Sequence, residues 1–464
     1  MKKRAGGICA VLVLTLSNLI GAAEQRDAEA WQILHGALEA GGPRAAEVLP
    51  LLGAMRGEEP RRILEGIFKG KNGIDISSAA SGLSPAQCAA FLPLLKQAAL
   101  DPAIESRTKL GVLGAIARTG TPEAAQALIG IANDEPEPII AGAAFGVLGE
   151  MGPVAEDVLV KEVEAGPSAW HRETATWVLV RGFGPRRSGA AFRVALHDPD
   201  WKVRFAGAMG LARSGSPEGQ GELEKVAHGN DLVYRVEALA ALTALGVSQS
   251  ASELRGVLTG TDRAASLKAV SAIVGIGGEK LKALVFDLGL ERKPEFETII
   301  AGELLDPGDP RDAVVLTKML DDGDEISRIV AAERLFKGHP TAQARNVIVR
   351  ALQSGNAQAR QVAVDFATGE PSLWPDLGNF LAAVDPAVRE AAIAAAGKLR
   401  RRKDVTLLTQ YLRDESPGIS LAAARSLAAV DPVAAQTAFQ DGLKSDVWYV
   451  RVHCAAMLLS HRGE

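Results

Sequence analysis

Asp198-Pro-Asp-Trp-Lys-Val-Arg-Phe-Ala-Gly-Ala-Met-Gly-Leu-Ala-Arg-Ser-Gly215 decides the fold, because relatives of this stretch run along the rest of the chain. A polar Asp-Pro-Asp turn opens it, a run dense in Ala and Gly with apolar residues at helical spacing follows, and a glycine closes it. Two anchors seven residues apart, Arg204 and Leu211, fix the register. The second anchor recurs as Ile116, Leu148, Leu179, Leu211, Leu242, Ile273, Leu304, Leu335, Ala367, Ala396, Leu427 and Leu458. Every interval is 31 or 32 residues except one of 29, between Ala367 and Ala396. The first anchor is basic in eight of the twelve units, and its register is weakest at Glu297. A fixed period of this length marks one supersecondary unit stacked on copies of itself.

Each unit reads as two helices joined by a polar turn. The turn is often acidic, as in Asp322-Gly-Asp324, Asp385-Pro386 and Asp414-Glu-Ser-Pro417. Asp there caps the free N–H groups of the following helix, and Pro suits its first turn. Gly120, Gly152, Gly215 and Gly246 close second helices, where glycine tolerates a left-handed backbone. Small residues on those helices allow close approach between neighbours, in keeping with a 5% aromatic content. No stretch alternates with enough β-branched residues to predict a strand.

The unit resembles the HEAT-like repeats of the phycobilisome-lyase type, which read roughly Asp-Pro-x-Trp-x-Val-Arg-x-x-Ala-Ala-x-Ala-Leu-Gly. Asp198-Pro199, Trp201, Val203-Arg204, Ala208 and Leu211 carry the likeness, as do Val388-Arg389 with Ala392 and Trp448, Val450-Arg451 and Ala455. The resemblance spans residues 101–464 and implies an all-α solenoid of about twelve HEAT-like helix pairs. Residues 24–100 are less regular. Helices are expected over 31–40, 44–55, 61–68 and 86–100, the last kinked or broken at Pro93, together forming divergent repeats or an N-terminal cap.

The first residues predict an exported chain. Lys2, Lys3 and Arg4 precede an apolar run of thirteen residues from Ile8 to Ile20, and Gly21-Ala-Ala23 offers small residues for a signal peptidase. Residues 1–23 then form a cleaved signal, leaving no integral membrane segment and a periplasmic or extracellular protein. The net charge of −5 becomes −8 once the three basic groups of that signal are gone, which argues against a nucleic-acid partner. The two remaining cysteines, Cys88 and Cys454, lie near opposite ends of the chain, so an extended solenoid would not let them pair. Cys454, in an Ala-rich helix, is expected to be a small buried thiol.

No catalytic set is legible. Some HEAT-repeat proteins are hydroxylases with adjacent His-Glu ligands, but none of the seven histidines is followed by Glu, and His171-Arg-Glu173 is the nearest approach. The pigment lyases of the family act on cytoplasmic proteins, which an exported chain would not meet. The loop Lys69-Gly-Lys-Asn-Gly73 has the wrong spacing for phosphate binding. Neither a metal nor another cofactor is expected. The recurrent arginines are expected to pair with turn acids, and Trp170, Trp201, Trp448, Tyr234 and Tyr449 to pack between repeats. If second helices line the concave face, its exposed positions fall one, two and five residues after the first anchor. They include Glu173, Trp177, Phe205, Met209, Glu237, Ile329, Glu333, Gln361, Asp365 and His453. Their mixture of apolar and acidic groups suits a protein partner, and a non-catalytic scaffold or adaptor is the expected function. The rival readings are an enzyme or accessory subunit with a pocket at an irregular joint (182–189 or 368–375), or a glycan-binding envelope component.

Overall fold

Turn acids start the second helices as the sequence predicts. Asp200 accepts the Lys202 N–H at 2.8 Å, Asp231 that of Val233 at 2.9 Å, and Asp385 those of Ala387 and Val388 at 3.0 and 3.2 Å. At the other end, Gly120, Gly152, Gly215 and Gly246 all have positive φ. With both ends specified locally, the Ala-rich run between them has only to bury its seam. The computed structural model describes residues 25–69, 76–183, 185–338, 340–374 and 377–460. The stretch 1–23, where an export signal is expected, and the loop after Lys69 fall outside these residues. The described residues are helical, with no strand among them. The twelve second anchors all fall in the second helix of a helix pair.

The chain forms two compact units. One holds residues 95–102 and 113–367. Its helix pairs run from Pro122–Asp134 with Pro138–Glu150 to Ala342–Ala351 with Ala357–Gly369. Successive second helices lie side by side: Ala169–Gly182 on Trp201–Arg213, that on Leu232–Leu245, and that on Arg263–Ile276. Glycine sets how close a first helix comes. A Cβ on Gly210 would stand 2.7 Å from the Phe192 ring, so Trp201–Arg213 and Pro185–Ala195 meet where only hydrogen fits. The weak register at Glu297 coincides with a change of backbone, as Pro294–Ile299 continues into a π-helix over Ile300–Leu304. Glu297 itself is buried and accepts the Asp324 N–H at 3.4 Å.

The other unit holds residues 1–94, 103–112 and 368–464. Its repeats end with Pro432–Gly442 and Trp448–Ser460. In the short 29-residue interval the first helix has shrunk to Leu377–Leu381 after a 3-10 turn at Pro371–Leu373, with Trp374 buried edge-on against Phe380. The N-terminal helices cover 25–40, Gly42–Ala54, Glu58–Lys69 and Ile76–Gly82, the last one not foreseen. Pro93 does not end its helix, which runs unbroken over Pro85–Leu100. Placing the two ends of the chain apart needs correcting. Gly42–Ala54 packs on Trp448–Ser460, so the divergent cap covers the apolar face of the last repeat. Arg44 sits 5.8 Å from the Trp448 ring centroid in the same contact. Cys88 and Cys454 thus share a unit, both free and buried.

Candidate functional site: a face of second helices

The recurrent arginines belong to the frame. Five of them reach back six residues to a carbonyl in the turn after the first helix. Arg172 donates through Nη1 to Gly166 O at 3.1 Å, Arg204 to Asp198 O at 3.0 Å, and Arg360, Arg389 and Arg451 to Ser354, Ala383 and Ser445 O at 2.6 Å. The guanidinium thereby satisfies the carbonyls a helix end leaves open and clamps the turn. It also links repeats. Arg172 holds the Asp198 carboxylate of the next turn with two bonds, 2.7 and 3.2 Å. Arg389 approaches Asp414 at 3.8 Å, and Arg204 takes Glu222, on the next first helix, at 3.1 Å. Burial alone would raise the Asp198 carboxyl. The Arg172 bonds, the Asp200 N–H and the charges of Arg172 and Arg204 outweigh it and hold the group below its ordinary value.

Aromatic side chains carry the next layer. Trp177, Phe205, Tyr234 and Trp201 form a chain of edge-to-face contacts across three second helices, at centroid separations of 5.9, 5.6 and 5.1 Å. Phe205 is its hub and is fully buried. Met209, one turn along the same helix, is buried as well. Ile329 and His453 are likewise interior. For these four the expected exposure is corrected. Apolar side chains at these positions turn into the seam between neighbouring second helices, and His453 is covered by the N-terminal helices.

Of the other expected positions, Glu333 pairs with Lys337 at 2.6 Å, and Gln361 donates to Asp365 at 2.7 Å, both on the surface. Glu173, Trp177 and Glu237 are half-buried beside the aromatic chain. Burial pushes the Glu173 carboxyl up, against the charge of Lys202 and the Trp177 indole N–H. Burial likewise raises Glu237, against the charge of Arg181, whose guanidinium lies 5.4 Å from the Trp177 ring centroid. Four of the expected residues, Glu173, Trp177, Phe205 and Glu237, therefore fall in one cluster.

The sequence reading missed the exposed row beside that cluster. Ile139, Trp170, Trp201 and Val233 occupy the first turn of four consecutive second helices and are 74%, 39%, 41% and 40% exposed. Trp170 meets Phe145 at 5.8 Å, and Trp201 meets Tyr234. These tryptophans pack between repeats as expected, yet each also shows part of its ring to solvent. The signal was present: at Ile139 and Val233 an apolar residue follows the turn directly, where a solvated helix start would be polar.

Two arrangements resemble catalytic sets. His171 bridges Ser168 Oγ at 2.7 Å and Ala132 O at 3.3 Å, tying the start of its own helix to the last turn of Pro122–Asp134. Among the described residues no group of three His, Cys, Asp or Glu is placed to hold a metal ion. In the other unit Ser420 Oγ lies 3.0 Å from His453 Nδ1, whose Nε2 lies 2.6 Å from Glu47 Oε1. That order of groups looks like a nucleophile triad. However, Ser420 is buried and its hydroxyl donates to Leu412 O at 2.8 Å, so its oxygen faces no substrate space. The trio joins the last repeat to the N-terminal helices.

The sequence matches the model of HEAT repeats over residues 156–243 and 375–460, the first of which spans nearly all of the aromatic cluster. No curated protein matches it. Among solved structures, the karyopherin Kap121p bound to the extreme C-terminus of the protein phosphatase Cdc14p is 11% identical at a TM-score of 0.36, over 94% of this chain and 58% of that one. A Kap121p mutant gives 11%, 0.35, 90% and 53%. Human deoxyhypusine hydroxylase in complex with glycerol gives 16% and 0.23, over 69% of this chain and 98% of that one. The chain thus spans a little over half the length of the Kap121p chains. With the helix pairs of the described residues, the repeat match supports an all-α solenoid that carries HEAT repeats over those two stretches.

Proposed function

We propose that this protein is a non-catalytic scaffold or adaptor of the cell envelope that binds another protein along the second helices from Pro138 to Leu245. The row Ile139, Trp170, Trp201 and Val233 carries the reading. Four large apolar side chains held in register on stacked helices form an exposed apolar line, which a protein partner would cover. Trp is also the residue type that most often anchors such contacts. Glu173, Trp177 and Glu237 supply a polar flank next to it. The envelope location rests on residues 1–23, read as a cleaved signal.

A photo-crosslinking amino acid placed at Ile139 or Val233 in the full-length protein tests the reading in its own cells. One discrete partner band is expected from these sites, absent from Val314, an exposed position on a first helix. Trp170→Ala with Trp201→Ala should abolish the band without lowering the melting temperature by more than a few degrees. Equal labelling from Val314 overturns the docking face. The same cells, fractionated and with the mature N-terminus sequenced, test export; a cytoplasmic protein retaining residues 1–23 overturns that part.

A further inference from the structure

Two arginines of the first-anchor series, Arg235 and Arg328, do not join the clamp among the described residues. Arg328 makes no bond to the carbonyl six residues back, among the described residues, although Arg172, Arg204, Arg360, Arg389 and Arg451 all do. Its side chain instead lines a cavity of about 420 Å³ between the helices Pro310–Asp322, Glu325–Gly338 and Ala342–Ala351. Arg350, from the last turn of the third helix, lines the same cavity. Neither guanidinium has a side-chain hydrogen bond or ion pair among the described residues. Each carries five N–H donors and no acceptor.

The acids nearby are already engaged by neutral donors. Asp321 accepts from Gln343 Nε2 at 3.1 Å. Glu325 accepts from Ser354 Oγ at 2.5 Å and Asn356 Nδ2 at 3.1 Å. Asp324, on which Arg328's charge acts, caps the helix through the Ile326 and Ser327 N–H groups at 2.9 and 3.0 Å. The cavity therefore sets two carboxylates that already hold neutral donors beside two guanidinium groups without a hydrogen-bonded acceptor among the described residues. Its floor is apolar, formed by Leu320, Ile329 and Val347. Ile329 is thus buried within the fold and yet faces a ligand space.

We propose that this cavity binds a carboxylate, held between Arg328 and Arg350, with an aliphatic body against Leu320, Ile329 and Val347. Planar guanidinium groups match a carboxylate through paired N–H···O bonds, and the cavity holds one side chain or a small acid of that kind. The carboxylate belongs either to an acidic side chain of a peptide or to a free aliphatic acid. The inference stands on these residues alone and does not depend on the docking face.

Calorimetric titration of the full chain tests it, using acetyl-Leu-Glu-Leu-amide and hexanoate against acetyl-Leu-Lys-Leu-amide and hexylamine. At least one carboxylate probe is expected to bind, and neither amine. Arg350→Gln, an exposed change, should weaken that binding at least tenfold with an unaltered melting temperature. Tighter binding of the peptide than of hexanoate assigns the carboxylate to a polypeptide, and the reverse assigns it to a small acid; either supports the site. Trp170→Ala with Trp201→Ala should leave the titration unchanged, which separates this site from the docking face. Absence of binding by both carboxylates, equal binding of the lysine peptide, or undiminished binding by Arg350→Gln overturns the proposal.

Discussion

Arg172→Ala is the sharpest probe of how the repeats are joined. The wild-type side chain is 18% exposed and its partner Asp198 only 8%. It makes two charge-assisted bonds to that carboxylate, at 2.7 and 3.2 Å, and one to Gly166 O at 3.1 Å. Truncation leaves Asp198 with the Asp200 N–H at 2.8 Å and little else to balance its burial. Bonds to charged groups contribute about 1.5–3 kcal/mol each, less where water enters the gap, so a net loss of about 2–4 kcal/mol is expected. Arg172→Lys keeps the charge but not the two-pronged geometry and should cost at least half as much. Urea unfolding at pH 7, followed by far-ultraviolet circular dichroism, measures both.

The pH dependence supplies a second reading of the same pair. The folded Asp198 carboxyl lies below its unfolded value, so the folded state binds fewer protons across that window. Its contribution is complete above about pH 4, the ordinary carboxylate value, and is lost as pH falls through the folded value. Wild-type stability should therefore fall over that acid range more steeply than that of Arg172→Ala. A loss below about 0.5 kcal/mol, with parallel acid profiles, would make this an ordinary surface pair and refute the clamp.

Other expectations follow from single contacts. Gly210→Ala should destabilise by about 1–3 kcal/mol in thermal or urea melts, because its Cβ would stand 2.7 Å from the Phe192 ring. Glu47→Ala removes the acceptor of His453 Nε2 and should speed proteolysis within Gly42–Ala54 before the remaining helices are cut; unchanged cleavage would show that apolar packing alone holds the ends together. The Cys454 thiol, which burial pushes up to about 12, should resist a disulfide reagent in native protein and react once urea unfolds it. Trp177→Ala removes one end of the edge-to-face chain and should cost about 0.5–1.5 kcal/mol beyond its lost area, read as non-additivity with Phe205→Ala in a double-mutant cycle.

Apart from the helix Ile76–Gly82 and the unbroken run through Pro93, which residues form helices, where the second helices start and stop, and about how many pairs there are could be read from the chain. Those features are set by interactions within a few residues: Asp200 and Asp385 capping the N–H groups just after them, Gly215 and Gly246 accepting positive φ, and apolar anchors at a fixed period. The clustering of Glu173, Trp177, Phe205 and Glu237 was also within reach, since a repeat brings equivalent positions side by side. Whether a side chain at such a position faces solvent was not. Phe205 and Glu173 both stand one residue after an anchor, yet Phe205 is buried between two aromatic neighbours and Glu173 half emerges. That outcome depends on what the adjacent helices present. The packing of Gly42–Ala54 on Trp448–Ser460, with Glu47 bonded to His453, joins segments about four hundred residues apart, and no local pattern encodes such a contact. The arginine series shows the same division. Its period is in the sequence, while the release of Arg328 from its turn and into a cavity with Arg350 is settled only by the arrangement of three helices around it.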